Sequence, residues 1–209
     1  MAIMMTDTPS ENADQLLSDA RGGDARAVTR LLEMYRNYLS LLARIHIDQH
    51  LQSKADPSDL VQETCMHVVR DFPDFRGTSE AEFLAWLRKI VANNGAKLIR
   101  HYRGTQRRDV TLERRLQDDL DETSLGMARQ LVAADSSPSH QAARREAAVV
   151  LADALARLPA DYREVMILHH LESRTIAETA ERMGRSLDSV KKLLARALIR
   201  LRSQMKGTA

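Results

Sequence analysis

Cysteine and tryptophan each occur once in 209 residues, and phenylalanine only three times. The single Cys65 excludes an intramolecular disulfide and a cysteine-based zinc site. Aromatics make up 4% of the chain against 44% hydrophobic residues, so a core must be built from Leu, Ala, Val, Ile and nine Met. Those residues, with abundant Arg and Glu, favour helix over strand. Eight Gly and five Pro leave few tight turns. No apolar run approaches the roughly 20 residues that a membrane helix needs. Met1 to Asn12 has neither the apolar stretch nor the early basic cluster of a signal peptide. The expectation is an all-α, soluble, cytoplasmic protein with no direct membrane insertion.

Catalytic signatures are also missing. There is no Walker loop, no G-x-G-x-x-G and no His-Glu-x-x-His. His169 and His170 are adjacent on a helix, where neighbours project about 100° apart and seldom share a metal. They read as a surface or cap-proximal pair, and Cys65 as a small core residue. No catalytic residue, metal or cofactor is expected.

What is present is a patterned charge. The formal net charge is only +2, yet residues 1–87 carry 14 acidic and 8 basic side chains. From Arg88 through Arg108 there are seven Arg or Lys and no acid. Asp118, Asp119, Asp121 and Glu122 then form an acidic knot. Arg185 to Lys206 holds seven basic residues against one acid, Asp188. Two basic segments divided by an acidic stretch suggest two nucleic-acid contact surfaces; ordinary solvated helix faces are the plainer alternative.

The periodicity divides the chain in two. Leu17, Val28, Leu31, Leu32, Tyr35, Leu39 and Leu42 recur at helical spacing, interrupted near Gly22 and Gly23, which predicts two helices with the second starting near Asp24. Asp56 suits an N-cap, Pro57 the first helical position and Asp59 the first turn. In that helix Val61, Cys65, Val68 and Phe72 make one apolar stripe, while Asp59, Gln62, Glu63, Met66 and Arg70 form a second face free to meet a partner; Pro73 ends it. A long helix follows from about Glu80 to Tyr102, with Phe83, Trp86 or Leu87, Ile90, Val91 and Leu98 on its apolar side and cations crowding its second half. Trp86 is tempting as a stacking wedge, but its apolar neighbours favour core packing. Residues 13–104 thus form a first domain and 105–140 an acidic linker, with a short helix near Thr111–Leu116. Residues 141–206 form a second domain. There Val150, Leu151, Ala154, Leu155 and Leu158 form a helix stopped by Pro159, and a further helix ends near Leu171. Thr175 and Glu178 make a capping box, Gly184 a stop, and Ser186 caps a last basic helix to about Met205. A short helix, a glycine turn and a longer basic helix make a helix-turn-helix.

These motifs resemble the extracytoplasmic-function sigma factors of bacterial RNA polymerase. In the first domain the matching text is DPSDLVQET (residues 56–64), DFRG (74–77) and FLAWLRKI (83–90). In the second it is Leu158-Pro159, Arg163 to Val165, Glu178 to Ala180, Met183-Gly184, Ser189 to Lys191 and Arg196-Ala197. The resemblance covers roughly residues 13–103 and 145–205, and its strength lies in the order and separation of the two halves. It implies that the first domain is region 2, which docks on the coiled coil of the polymerase clamp and opens the minus-ten promoter element. The second is then region 4, which binds the polymerase flap and reads the minus-thirty-five element. By position, Asp59, Gln62, Glu63, Met66 and Arg70 are the clamp-facing candidates. The minus-ten candidates are Asn93, which aligns with a residue lining a flipped-base pocket, and Lys97, with Arg76, Arg88 and Arg100. For the minus-thirty-five element they are Arg185, Ser189, Lys191, Lys192 and Arg196, at the end of a helix whose Val190, Leu194, Ala197 and Leu201 face inward. Partners implied are core RNA polymerase, promoter DNA in duplex and single-stranded form, and optionally a separate anti-sigma factor. The chain departs from its relatives at Leu193, where they often carry a basic residue, at Thr179, where they carry an aliphatic one, and in a longer loop between Gly77 and Phe83. A dimeric helix-turn-helix regulator remains the rival reading; it accounts for residues 141–205 but leaves 56–103 unexplained.

Overall fold

The computed structural model describes residues 12–51, 55–103, 114–118 and 141–206. Every regular element among them is helical. The first half contains α1 (Ala13–Arg21), α2 (Ala25–Met34), α3 (Arg36–Leu51), α4 (Pro57–Asp71) and α5 (Glu80–Arg103). The second contains α6 (Gln141–Ala156), α7 (Ala160–Met166), α8 (Ile176–Met183) and α9 (Leu187–Lys206). The expected break at Gly22 and Gly23 is there, with Gly23 at φ +98°, and Asp24 caps α2 by accepting from the Arg26 amide at 2.8 Å. A further break at Tyr35, between α2 and α3, went unread in the sequence.

All three Phe and the one Trp gather in a single place. Phe72, Phe75, Phe83 and Trp86, joined by Tyr35, stack with ring centroids 4.8 to 6.4 Å apart. Pro73 cannot continue α4, so the chain makes one tight 3-10 turn over Phe72–Asp74 and folds Phe75 back onto Trp86. The scarce aromatics therefore fasten the end of α4 to the start of α5. Tyr35 adds a tie from its hydroxyl to Glu80 at 2.8 Å.

Core register in α4 differs from the expected stripe. Leu60, Thr64, Val68 and Phe72 are the buried residues, whereas Val61 and Cys65 are only half-buried. Thr64 disguised the stripe: its hydroxyl is buried because it accepts from the Asn94 side chain on α5 at 3.3 Å. A satisfied polar group can occupy a core position.

In the second half, α7 runs on through a wider π turn over Ile167–Leu171, as the apolar pattern to Leu171 anticipated. The Thr175 and Glu178 capping box is formed in both directions, and Gly184 ends α8 at φ +60°, in the left-handed region. α8, this turn and α9 make the helix-turn-helix. Val190, Ala197 and Leu201 are buried beneath α9, with Leu194 half-buried beside them. Thr179 is fully buried and donates its hydroxyl to the Thr175 carbonyl at 2.8 Å, so the position is satisfied without an aliphatic side chain.

The two halves touch. α6 lies between them, against α3 and α5 on one side and α9 on the other, because residues 147–156 are apolar nearly all round. Polar ties cross the same seam: Asn37 donates to Asp153 at 2.8 Å, and Arg44 reaches Glu164 at 2.7 Å and Glu172 at 3.8 Å. Of the expected linker, only residues 114–118 are described; they are helical, and Leu116 is buried in the common core. The acidic knot beyond Asp118 lies outside the described residues.

Candidate nucleic-acid and partner interfaces

Three surfaces carry the candidate residues. The first is the outer face of α4. Asp59, Gln62, Met66 and Arg70 are exposed there, and Glu63 is half-buried. Met66 is 58% exposed and Val69, a residue the sequence pattern passed over, is 55% exposed. Two large apolar side chains one turn apart, ringed by Asp59, Gln62 and Arg70, have the apolar centre and polar rim of a protein–protein contact. Arg70 is held flat by its neighbour, with Nε and Nη2 donating to the two Asp71 oxygens at 2.6 and 2.8 Å. That bond lowers the Asp71 carboxyl below its usual value, helped by the charges of Arg70, His67 and Lys97. Beside this face runs a groove of about 720 Å³ between α2, α3 and α4, lined by Leu32, Arg36, Arg44, Val61, Gln62 and Cys65. Partial burial pushes the Cys65 thiol up, which makes it a poor nucleophile.

The second surface is on α5. Asn93, Lys97 and Arg100 stand at i, i+4 and i+7, so they share one side of the helix. Lys97 is exposed, and Asn93 and Arg100 are half-buried. Lys97 also contributes to the electrostatic field at Asp71, which puts this stripe beside the end of α4. Arg88 does not join it. It is 3% exposed and its Nη1 donates to the buried Tyr38 hydroxyl at 3.1 Å, inside the α3–α5 contact. The expectation that Arg88 faces DNA is therefore corrected: helical rotation turns it inward, and the exposed cation at that end is Lys89, four residues before Asn93. Arg76 is exposed on the loop before α5, where Nη1 donates to the Pro73 carbonyl at 3.0 Å. The same loop is tied down by Glu82, which accepts from the Thr78 and Ser79 amides at 2.8 and 3.2 Å. Those donors hold the Glu82 carboxyl below its ordinary value.

Packing beneath α5 is tight. A Cβ added at Gly95 would meet the ring of His46 at 1.9 Å, and His46 is itself 1% exposed. Glycine at position 95 is what lets α3 and α5 approach so closely under the Asn93–Lys97 turn.

The third surface is α9. Lys191, Lys192, Ala195 and Arg196 are all exposed on one side. Ser189 is half-buried, its amide donating to the capping Ser186 hydroxyl at 3.2 Å, so it offers less to a partner than the lysines do. Arg185 leaves the helix tip to form an ion pair with Asp161 on α7. Leu193 is half-buried against the core, which explains why an apolar residue is at home there. Unforeseen from sequence are Leu187, 52% exposed at the tip, and Ile199, 71% exposed twelve residues further on.

Elsewhere, His169 Nδ1 lies 2.8 Å from the Arg174 carbonyl, and burial with the neighbouring His169 charge pushes the His170 imidazole down. No cluster of His, Cys, Asp and Glu suited to a metal occurs among the described residues. No helix among them is long and apolar enough to cross a membrane.

Comparison with known proteins matches both halves. The family model described as Sigma-70 region 2 covers residues 33–108, and that described as Sigma-70, region 4 covers residues 148–201. The ECF RNA polymerase sigma factor SigD of Mycobacterium tuberculosis (strain ATCC 25618 / H37Rv) is 25% identical over 195 residues, spanning 93% of this chain and 84% of the relative. The ECF RNA polymerase sigma-E factor of Haemophilus influenzae is 26% identical over 197 residues, 94% of each chain.

Proposed function

The chain belongs to the extracytoplasmic-function (ECF) sigma factors, and from that premise we propose how its three surfaces divide the work of starting transcription. The protein is a transcription initiation factor acting with RNA polymerase. The α4 face, with Met66 and Val69 at its centre and Asp59, Gln62, Glu63 and Arg70 around them, holds the coiled coil of the polymerase clamp. The stripe of Lys89, Asn93, Lys97 and Arg100, with Arg76 on the adjoining loop, takes the opened minus-ten strand. Opening a duplex costs a few kcal/mol per unstacked step, and a basic stripe with one amide able to pair with a base edge offsets that cost. α9 enters the major groove of the minus-thirty-five element through Lys191, Lys192 and Arg196, and the region 4 half meets the polymerase flap. Arg185 and Ser189 sit at the margin of that contact. Residues 13–104 and 141–206 are the corresponding functional units.

The observation that carries this reading is the co-occurrence, on one chain, of an apolar-centred helix face beside a cationic stripe and a separate basic recognition helix. A lone DNA-binding regulator needs only the last. Distance adds a consequence. The two promoter elements are about 25 base pairs apart by their names, or roughly 85 Å at 3.4 Å per pair. A compact chain of this length has a radius of gyration of only about 17 Å. With α6 docked on α3 the two DNA surfaces cannot reach both elements together, so the α3–α6 seam opens when polymerase is bound.

Reconstituted transcription with core polymerase tests the assignment. Gln62→Ala with Met66→Ala weakens core binding, while Lys97→Ala leaves core binding intact and lowers open-complex formation on the same promoter. Loss of core binding in the Lys97 variant, or none in the α4 variant, contradicts the division.

A further inference from the structure

α9 holds one acid among its cations. Asp188 sits in the first turn, and its Oδ2 lies 2.7 Å from Lys192 Nζ, one turn along. Both side chains are open to solvent, at 73% and 67% exposure. An exposed pair of this kind adds little to stability. An acid at a helix N-terminus does favour the dipole, but here it stands on the end of the helix that meets DNA, where phosphates repel it.

We propose that Asp188 is a specificity-determining residue that accepts a hydrogen bond from a cytosine amino group in the minus-thirty-five element, while holding Lys192 against a neighbouring guanine. The inference rests on α9 being the recognition helix. In the major groove only cytosine and adenine present an amino donor. Adenine places its N7 acceptor beside that donor, so a carboxylate meets repulsion there. Guanine offers O6 and N7, both acceptors, and thymine O4; each rejects a carboxylate and suits a lysine. One Asp188 oxygen serves the base while the other keeps Lys192, so the free-state ion pair already sets the spacing of the two contacts. The acid thus repels wrong bases and holds the lysine that selects a right one.

The test is transcription by core polymerase with the full chain, on a promoter library randomised across the minus-thirty-five region. The wild type shows a cytosine preference at one position with a guanine preference close by. Asp188→Ala removes the cytosine preference, roughly tenfold, and leaves more distant positions alone. Asp188→Asn moves that position toward adenine, whose N6 and N7 suit a carboxamide. Lys192→Ala flattens the guanine preference. Helix capping alone predicts none of these changes in base choice. Wild-type base profiles in both Asp188 variants, with an altered profile in Arg196→Ala, overturn the proposal and leave α9 as the recognition helix. Unchanged profiles in all four variants overturn both.

Discussion

Gly95 and Arg88 show how much one position can hide. In sequence Gly95 is an unremarked residue inside a long helix, and Arg88 opens an acid-free basic run. In the fold Gly95 is the contact that admits the buried His46 ring, because a Cβ there would lie 1.9 Å away. Gly95→Ala is expected to lower stability by about 1–3 kcal/mol, the usual cost of overpacking, measured as a fall in denaturation midpoint. Arg88 was misread because counting charge along a helix ignores rotation: its guanidinium meets Tyr38 inside. Arg88→Ala is accordingly expected to destabilise the first half, and Lys89→Ala to leave stability unchanged while weakening single-strand binding; thermal melts and anisotropy with a non-template oligonucleotide check both. His170 adds a pH effect. Its folded-state pKa is depressed by burial, so the unfolded chain takes up the proton first as pH falls. Stability is therefore present above the ordinary value of 6.5 and declines below it. His170→Gln should flatten the melting temperature between about pH 5 and 7.

Among elements, those with chemical punctuation were legible. Asp56, Pro57, Thr175, Glu178 and Gly184 each do in the structure what their residue type does elsewhere. Thr175→Ala removes the α8 cap and is expected to cost about 1 kcal/mol, with melting and DNA binding by the second half falling together. The outer face of α4 was legible from its spacing, as were Val68 and Phe72 on its inner stripe, but Leu60 and Thr64 take the core positions expected of Val61 and Cys65. The Asn94 side-chain amide donates to the Thr64 hydroxyl in the core, and an apolar pattern cannot register a buried hydrogen bond. Tyr35 ends α2 without glycine or proline nearby, which left that boundary without a sequence signal.

For the whole molecule, the docking of the halves was not foreseen. The two-domain division follows from local pattern, whereas the seam of α3 with α6 and α7 depends on residues over 100 positions apart, such as Asn37 with Asp153 on α6 and Arg44 with Glu164 on α7. The one clue was compositional: a helix that is apolar on nearly every side must be covered on more than one. Glu172 has a 3% exposed side chain between Arg44 and Arg174, so removing Arg44 takes away one of its counter-charges. Arg44→Ala is expected to loosen the seam, read as faster amide exchange in α3 and α6 with exchange in α8 and α9 unchanged. If promoter recognition belongs to the complex with polymerase, the affinity of this chain for one promoter duplex must depend on core enzyme. Binding is expected to be roughly a hundredfold tighter or more with core present, and that gain is lost when α4 carries Gln62→Ala and Met66→Ala. Equal affinity in both conditions, or tight binding of a palindromic duplex by the chain alone, contradicts that dependence.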